Sequence, residues 1–330
     1  MPILSENLQP FLIVTAIAFV YLAILRAVDL NEREPLWSLI LLLWCGATGA
    51  ALVRLLVNSP VLTLRPVRAA LIEETATLAA VGVGFAVLAA VGRWKGWSEV
   101  TDVMDGLVYG AAAGLGFALV DTMWDLIGRP VGALAAVRPG AFATLWTAAL
   151  GGLAHGIFGA LIGIGCVASV LHRSAAESIG RALLGWALAV AAHVGYEVLA
   201  HGAALSGSTA VLRLWVALAM PLALVVLLAL RSLFGERRAI RAELDEEAGI
   251  GGTPGPASGY LARRRAALAA LLRGDLRAHA AEKALHNRRV QLALARWRER
   301  RTDDPARQAR ARAEVESLRA AVRRLQEEAP

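Results

Sequence analysis

Charged residues are scarce in this chain, and those present are unevenly distributed. Asp, Glu, Lys and Arg make up 18% of the 330 residues, whereas apolar residues make up 57%. Residues 1–230 contain 12 Lys and Arg against 13 Asp and Glu, and residues 231–330 contain the remaining 22 against 14. An apolar body followed by a basic tail is typical of a multi-span membrane protein and excludes an ordinary pair of soluble domains.

Cysteine is also rare, and the tail has few aromatic residues. The two cysteines, Cys45 and Cys166, both lie in apolar runs, which excludes a disulfide framework and a Cys-rich metal site. Residues 260–330 contain only Tyr260 and Trp297 as aromatics and no nucleic-acid motif, so we expect no nucleic-acid partner.

The first ten residues contain no Lys or Arg. We therefore expect a retained first span and not a cleaved signal peptide.

Seven segments are long and apolar enough to cross a bilayer, for which a helix needs about 20 residues. They are residues 10–29, 36–57, 69–92, 105–128, 144–171, 179–201 and 209–233. Continuous runs of Leu, Ala, Val and Gly predict helices and not the alternating strands of a barrel. The sequence therefore predicts an all-α, polytopic helix bundle of about seven spans in the cell membrane.

Glycines at helical spacing mark the fourth and fifth segments. They are Gly110, Gly114 and Gly116 in the fourth, and Gly152, Gly156, Gly159 and Gly163 in the fifth. Small residues four apart allow helix backbones to approach closely in lipid. We expect these two helices at the centre of the bundle.

The sequence predicts three parts: a transmembrane bundle over 1–235, a flexible linker over 236–259 and a basic helical tail over 260–330. Gly and Pro are frequent in residues 248–259, and two helices are expected at about 260–300 and 305–328. The apolar repeat of the second helix suits a helical hairpin, self-association or binding to anionic lipid; it consists of Val315, Leu318, Val322 and Leu325. The basic excess predicts a cytoplasmic tail, and seven spans then place the N-terminus outside.

Acids and histidines within spans are costly and are therefore candidate functional residues. Six stand out: Glu73, Glu74, Asp121, His155, His193 and Glu197. No Lys or Arg lies near them in sequence, so we expect the four carboxylates to be protonated, hydrated or bound to a cation.

Helix geometry predicts that these residues meet. Consecutive spans alternate in direction, and a helix rises about 1.5 Å per residue. Measured from the face where the third span begins, the depths are roughly 6 Å for Glu73, 10 Å for Asp121, 17 Å for His155, 12 Å for His193 and 6 Å for Glu197. All four helices place their costly residues in the same half of the bilayer.

Imidazoles together with carboxylates are a plausible zinc site, and an additional Glu would be the general base for water. Each residue also has a simpler interpretation. Glu73 and Glu74 suit an interfacial pair, Asp121 suits an acid at a helix end, and His155 suits a hydrogen-bonded packing residue. His193 and Glu197, four residues apart, suit an interhelical hydrogen-bond ladder. The shared depth favours the functional interpretation.

These motifs resemble the PrsW family of intramembrane metalloproteases, distant relatives of the CAAX prenyl endopeptidases. The run from Asp105 to Asp121, DGLVYGAAAGLGFALVD, is similar to the family's most characteristic stretch. Upstream, Glu73-Glu74-Thr-Ala-Thr77 is similar to its Glu-Glu-x-x-Lys motif, and His155 and His193 resemble its two later histidine motifs. The resemblance covers about residues 70–200.

Three positions depart from the family pattern. Thr77 stands where the family commonly has Lys, Asp121 replaces Glu, and Glu197 stands where Asn or Asp is often found. None of the three changes removes an expected ligand or base.

The resemblance implies peptide-bond hydrolysis in a membrane-associated protein substrate, with a divalent metal, zinc by preference. Membrane anti-sigma factors are among the implied substrates. By this resemblance Glu73 or Glu74 would activate water, and His155 and His193 would bind metal or stabilise the oxyanion. Asp121 and Glu197 would be further ligands or would orient them. With a cytoplasmic tail, the site would lie near the outer surface.

Two other functions fit the same composition. A transporter or channel would use the buried acids to bind protons or cations, but no inverted repeat is evident in the sequence. A catalytically inactive scaffold of the same fold would retain the spans without the reaction.

Overall fold

The computed structural model describes residues 2–28, 34–56, 66–95, 102–127, 141–170, 175–204, 210–251, 269, 272–301 and 305–327. The helices in these ranges are α1 (Pro2–Val28), α2 (Leu36–Leu56), α3 (Pro66–Lys95), α4 (Val103–Ile127), α5 (Ala141–Val170), α6 (Ala175–Ala204), α7 (Ala210–Gly251), α8 (Leu276–Arg301) and α9 (Pro305–Glu327). No strand occurs among the described residues.

Six helices, α2 to α7, contain a stretch long and apolar enough to span a membrane, and α1 contains a shorter one, Phe11–Ala27. A helix satisfies its own backbone hydrogen bonds, which is required where no water is available. The predicted all-α membrane bundle is confirmed, and the protein is a multi-pass membrane protein.

The chain forms two compact units, residues 1–230 and residues 231–330. In the first unit α4 and α5 are the most buried spans, with 83% and 78% of their apolar windows covered by protein. α4 packs against both α5 and α2, and α6 packs against α5. The predicted central position of the fourth and fifth spans is confirmed.

Glycine allows α4 and α5 to approach at backbone contact. A side chain at Gly110 would overlap the carbonyl oxygen of Gly159, and one at Gly114 would overlap that of His155. On the opposite side of α4, a side chain at Gly116 would overlap the carbonyl oxygen of Leu43 in α2. Helices in lipid commonly pack through small residues, because these allow the backbones to approach this closely.

The start of α4 is fixed by two aspartates. The Asp102 carboxylate accepts hydrogen bonds from the backbone N–H groups of Met104 (2.7 Å) and Asp105 (3.0 Å). The Asp105 carboxylate in turn accepts one from the N–H of Asp102 at 3.0 Å. This reciprocal cap satisfies amide groups that a helix start leaves without partners.

A buried polar contact joins α4 to the start of α2. The hydroxyl of Tyr109 donates a hydrogen bond to the carboxylate of Glu34, and the Ser38 hydroxyl lies 3.4 Å away. All three residues are buried. The tyrosine of the characteristic stretch therefore holds two helices of the bundle together.

The second unit contains a helical hairpin. Leu285, Leu292 and Ala295 of α8 form one buried cluster with three residues of α9; these are Val315, Leu318 and Val322. Leu325 packs against the cluster. The apolar repeat therefore packs within the tail, as one of its three interpretations expected.

The predicted linker requires a correction. α7 continues to Gly251, so residues 236–251 are helical, and residues 252–259 lie outside the described residues. Ile240 is buried with Val290, Ala293 and Leu294, and Glu243 pairs with Arg296 at 3.1 Å. These contacts, with the many helix-forming residues of the segment, favour helix over a flexible connection.

Candidate metal centre

Three helices supply the side chains of the site. α3 carries Glu73 and Glu74, α5 carries His155, and α6 carries His193 and Glu197. Residues four apart share a face of a helix, so His193 and Glu197 point in the same direction. Adjacent residues point about 100° apart, which gives Glu73 and Glu74 different surroundings.

His193 is the centre of the group, and its two ring nitrogens have different neighbours. Nδ1 lies 2.8 Å from Oε1 of Glu74. Nε2 lies 3.8 Å from Oε2 of Glu73 and 3.9 Å from Oε1 of Glu197. An ionised carboxylate only accepts hydrogen bonds, so against ionised Glu74 the Nδ1 atom carries the hydrogen and donates to Oε1. The lone pair of a neutral ring is then on Nε2, the side of Glu73 and Glu197.

Glu74 is completely buried. It is 0% exposed and His193 is 3% exposed. The second oxygen of Glu74, Oε2, has no hydrogen-bond partner within the described part of the chain. A buried carboxylate with one strong contact depends on that contact, because an unpaired buried charge is costly. The pair therefore fixes both the ring orientation and the position of the carboxylate.

Glu73, His155 and His193 each offer a ligand atom, and these three atoms lie within 4.8 Å of one another. Two imidazoles and a carboxylate are a donor set that suits zinc and similar divalent ions. A carboxylate that accepts from the second nitrogen of a ligating histidine is the usual support of such a site. The residues present therefore fit a divalent metal.

Aromatic rings enclose the imidazoles. The ring of Phe158 stacks on that of His193, with centroids 5.0 Å apart and planes 17° apart. The Phe117 ring lies 5.2 Å from that of His155. The two imidazoles are 5.3 Å apart and almost perpendicular. Phe158 therefore covers one face of the His193 ring, and the polar contacts of that ring lie at its edges.

Asp121 pairs with a residue that the sequence analysis did not consider. Its carboxylate accepts hydrogen bonds from the guanidinium of Arg54 in α2, with Nε at 2.9 Å. The expectation that all four carboxylates lack a basic partner is therefore wrong for Asp121. Arg54 and Asp121 are both within electrostatic range of Glu73. Whether Asp121 also binds metal stays a prediction.

Arg54 was missed because it is 67 residues away from Asp121 in sequence. The signal that could have found it is its own position. Arg54 lies inside the predicted second span, three residues from its end, and a basic residue within a span calls for an acidic partner.

The structure brings together five of the six predicted residues and places the sixth, Asp121, within electrostatic range of Glu73. A bundle of membrane-spanning helices around a histidine and glutamate cluster defines an integral membrane protein with residues that could hold a metal ion. The model of one protein family, PrsW family intramembrane metalloprotease, matches residues 34–230.

The chain therefore belongs to the PrsW family, and the resemblance of its motifs is confirmed. Membership supports an intramembrane protease and implies a metal. No curated protein and no solved structure matches the chain significantly.

Proposed function

We propose that the protein hydrolyses a peptide bond in a membrane-associated protein substrate, by metal-assisted attack of water. The observation that carries the proposal is the convergence of Glu73, His155 and His193, whose ligand atoms lie within 4.8 Å of one another. Two imidazoles and a carboxylate inside a membrane bundle are unfavourable for insertion and folding. Such residues are therefore usually retained for a function, here the proposed reaction.

We assign the divalent ion, zinc by preference, to His155 and His193, with Glu197 as the third donor. When bound, such an ion polarises a carbonyl and makes water a nucleophile at neutral pH. Glu197 qualifies because its Oε1 lies 3.9 Å from Nε2 of His193 and its side chain is 31% exposed. It therefore reaches the accessible edge of the site.

Glu73 is the general base of the proposed reaction. Its carboxylate lies on the Nε2 side of His193, where a water molecule between base and substrate would be positioned. The proton that it accepts from water is then available to the departing amine. The same geometry would let Glu73 bind the ion directly, and the metal content of Glu73→Gln separates the two roles.

Glu74 is a positioning residue in this proposal. By accepting the hydrogen bond of Nδ1, it keeps the lone pair of His193 on Nε2 and fixes the plane of the ring. The phenylalanine rings around the imidazoles exclude water from their faces, which strengthens the electrostatic interactions of the site.

The location of the site supports a membrane-associated substrate. Because Glu73, His155 and His193 belong to membrane-spanning segments, a substrate has to be embedded in or attached to the bilayer. A membrane anti-sigma factor in the cell membrane is one such substrate. We place the basic tail in the cytoplasm, where its excess positive charge favours anionic lipid.

The test compares cells that contain the wild-type protein with cells that contain Glu73→Gln, by sequencing new peptide N-termini in membrane fractions. We expect cleaved membrane proteins only with the wild type. Glu177→Gln is the matched control, because Glu177 is an exposed glutamate at the start of α6 and its substitution should leave cleavage unchanged.

Metal analysis of the purified variants completes the test. We expect bound metal in the wild type and Glu73→Gln, and its loss in His155→Ala and His193→Ala. Identical sets of N-termini in wild type and Glu73→Gln would contradict the protease and favour a scaffold. Ion flux into vesicles that survives His193→Ala would favour a transporter.

A further inference from the structure

The second unit exposes two leucines at the turn that precedes α8, here called the corner (residues 272–276). Leu272 is 79% exposed and Leu276 is 66% exposed, more than any other large apolar side chain that the structure describes in this unit. The apolar repeat of α9 is buried in the hairpin and is not available to a partner. Single exposed leucines are common on protein surfaces, but two so close together indicate a contact surface.

The corner has a defined backbone. The N–H of Arg273 donates to the carbonyl oxygen of Ala269 at 3.1 Å and closes the last turn of the preceding helical segment. Gly274 follows with a φ of 78°, a conformation that favours glycine. The carboxylate of Asp275 then accepts a hydrogen bond from the N–H of Ala278 at 2.9 Å and caps α8. The turn therefore holds one exposed leucine on each side.

Positive charge accompanies both leucines. Arg273 and Arg277 are exposed and directly follow the two leucines in sequence. Residues 231–330 as a whole contain 22 Lys and Arg against 14 Asp and Glu. Leucine beside arginine suits an anionic bilayer surface, because the leucine enters the boundary of the acyl chains while the guanidinium stays among the lipid phosphates.

The contacts between the end of α7 and α8 give the direction of α8. Ile240 of α7 is buried in one cluster with Val290 of α8. Glu243, one turn later in α7, lies 3.1 Å from Arg296, which is also later in α8. The contacts advance in the same direction along both helices. The start of α8 therefore points towards Arg231, the first charged residue after the last span.

Helix rise shows how far the corner extends in that direction. From Val290 back to Leu276, α8 covers about 21 Å, whereas α7 covers only about 13 Å from Ile240 back to Arg231. The corner therefore lies at the end of the second unit at which α7 continues into the span. An exposed apolar turn at this end is within reach of a bilayer surface.

We propose that the corner is a membrane contact of the tail and that its partner is an anionic bilayer surface. Leu272 and Leu276 enter the boundary between headgroups and acyl chains, and the two arginines pair with lipid phosphates. The contact holds α8 against the membrane at its first turn. The inference concerns the tail alone and does not depend on the proposed hydrolysis.

The test uses the full-length protein in lipid nanodiscs, with an environment-sensitive fluorophore attached to Leu272→Cys. Cys45→Ala and Cys166→Ala remove the two native thiols. The emission wavelength measures the polarity around the fluorophore, and quenching by nitroxide-labelled lipid measures its contact with the bilayer.

We expect blue-shifted, quenched emission in phosphatidylcholine that contains about one third phosphatidylglycerol. In pure phosphatidylcholine, or at high salt, the quenching should fall by about half or more, because the attraction of the arginines is then absent or screened. Asn287→Cys is the control position, since Asn287 is exposed on α8 three turns after the corner and should stay unquenched in both lipids.

Two further variants separate the apolar and the charged parts of the contact. Leu276→Gln should shift the equilibrium between inserted and free corner by about tenfold towards the free form. Arg273→Gln/Arg277→Gln should produce a shift of about tenfold in anionic nanodiscs only. The three side chains are exposed, so the unfolding temperature in detergent should not change.

Equal quenching at position 272 in the two lipids would overturn the proposal, as would unchanged quenching in either further variant. Quenching of Asn287→Cys as strong as that of Leu272→Cys would show that the whole tail lies on the surface, and would also overturn it. A blue shift without nitroxide quenching that grows with the number of proteins per nanodisc would instead identify a second copy of the chain as the partner.

Discussion

His193 contacts adjacent residues of α3 through opposite ring nitrogens. Glu74 lies 2.8 Å from Nδ1, and Glu73 lies 3.8 Å from Nε2. Sequence alone does not separate the roles of two neighbouring glutamates, because either can face the site when the rotation of the helix is unknown. The side chain of His193 distinguishes the two glutamates, because in a neutral ring only one nitrogen carries a hydrogen. That nitrogen faces Glu74, and the other faces Glu73.

Substitution of Glu74 should weaken metal binding without removing a ligand. In Glu74→Ala the Nδ1–H of His193 loses its acceptor and the ring is free to turn, so we expect metal affinity to fall by about 10- to 100-fold. Glu74→Gln keeps an acceptor oxygen and should lie between Glu74→Ala and the wild type. Titration with Co²⁺ or Zn²⁺ measures all three. Equal affinity in Glu74→Ala and wild type would show that Glu74 does not orient the ring.

Asp121 illustrates what helix depth could and could not predict. Depth predicted that it lies near the other acids, and the structure finds it within electrostatic range of Glu73. Its pairing with Arg54 depends on which helices are neighbours, and the spacing of residues within one helix does not reveal this. The packing of α2 against α4 decides it.

Among the helices, α4 and α5 depend on glycine for their mutual position. The glycine spacing predicted their central position, because small residues repeated every four positions in a membrane helix usually mark a surface of close helix packing. It did not predict that α4 has a second close contact, in which a side chain at Gly46 of α2 would overlap the carbonyl oxygen of Ala113. The two glycines of α2, Gly46 and Gly49, are three residues apart and so do not form the four-residue glycine repeat that marks α4 and α5.

Gly159→Ala should destabilise the bundle. A methyl group there would overlap the carbonyl oxygen of Gly110 and meet the Cα of Gly114 at 3.0 Å, and backbone atoms cannot rotate away. We expect a loss of about 1–3 kcal/mol in the free energy of unfolding, measured by thermal or denaturant unfolding in detergent.

Gly156→Ala is the matched control on the same helix. Its nearest neighbours are side-chain atoms of Leu115 at 3.8 Å, an ordinary contact distance. The unfolding temperature should stay unchanged or rise slightly, since alanine favours helix over glycine. A loss of stability in both variants would mean that glycine is needed for helix flexibility and not for the close contact.

In the whole molecule, the family match and the first compact unit both end at residue 230. The sequence predicted the change from bundle to tail from the abrupt rise in charge after Arg231. It did not predict that α7 would continue to Gly251, because composition marks the end of an apolar segment but not the end of a helix. The charged residues that follow the span are themselves good helix formers.

A chain that ends after Gly251 should still insert and cleave, since it keeps every residue of the candidate site. We expect cleavage within about threefold of the full-length rate, a change of less than about 1 kcal/mol in the activation barrier. The measurement is the appearance of new N-termini in membrane fractions, at matched amounts of inserted protein.

Leu318→Asp gives the matching full-length control. It places a charge in the buried core of the hairpin between α8 and α9, so it should unfold the tail without shortening the chain. Cleavage should again persist. If either stably inserted variant is inactive, the tail takes part in the reaction and the division of the protein into bundle and tail is wrong.

The glycine contacts of α4 have a consequence for how a substrate of the proposed reaction would reach the two histidines. α4 is fixed on both flanks by backbone surfaces, so lateral opening of the bundle at this helix would break its tightest seams. α3 is held differently: Gly82 faces open space, and Gly84 lies against the flexible side chain of Leu42. Side chains can swing aside where backbones cannot. We therefore expect a transmembrane substrate segment to enter the bundle laterally beside α3, the helix that carries Glu73 and Glu74.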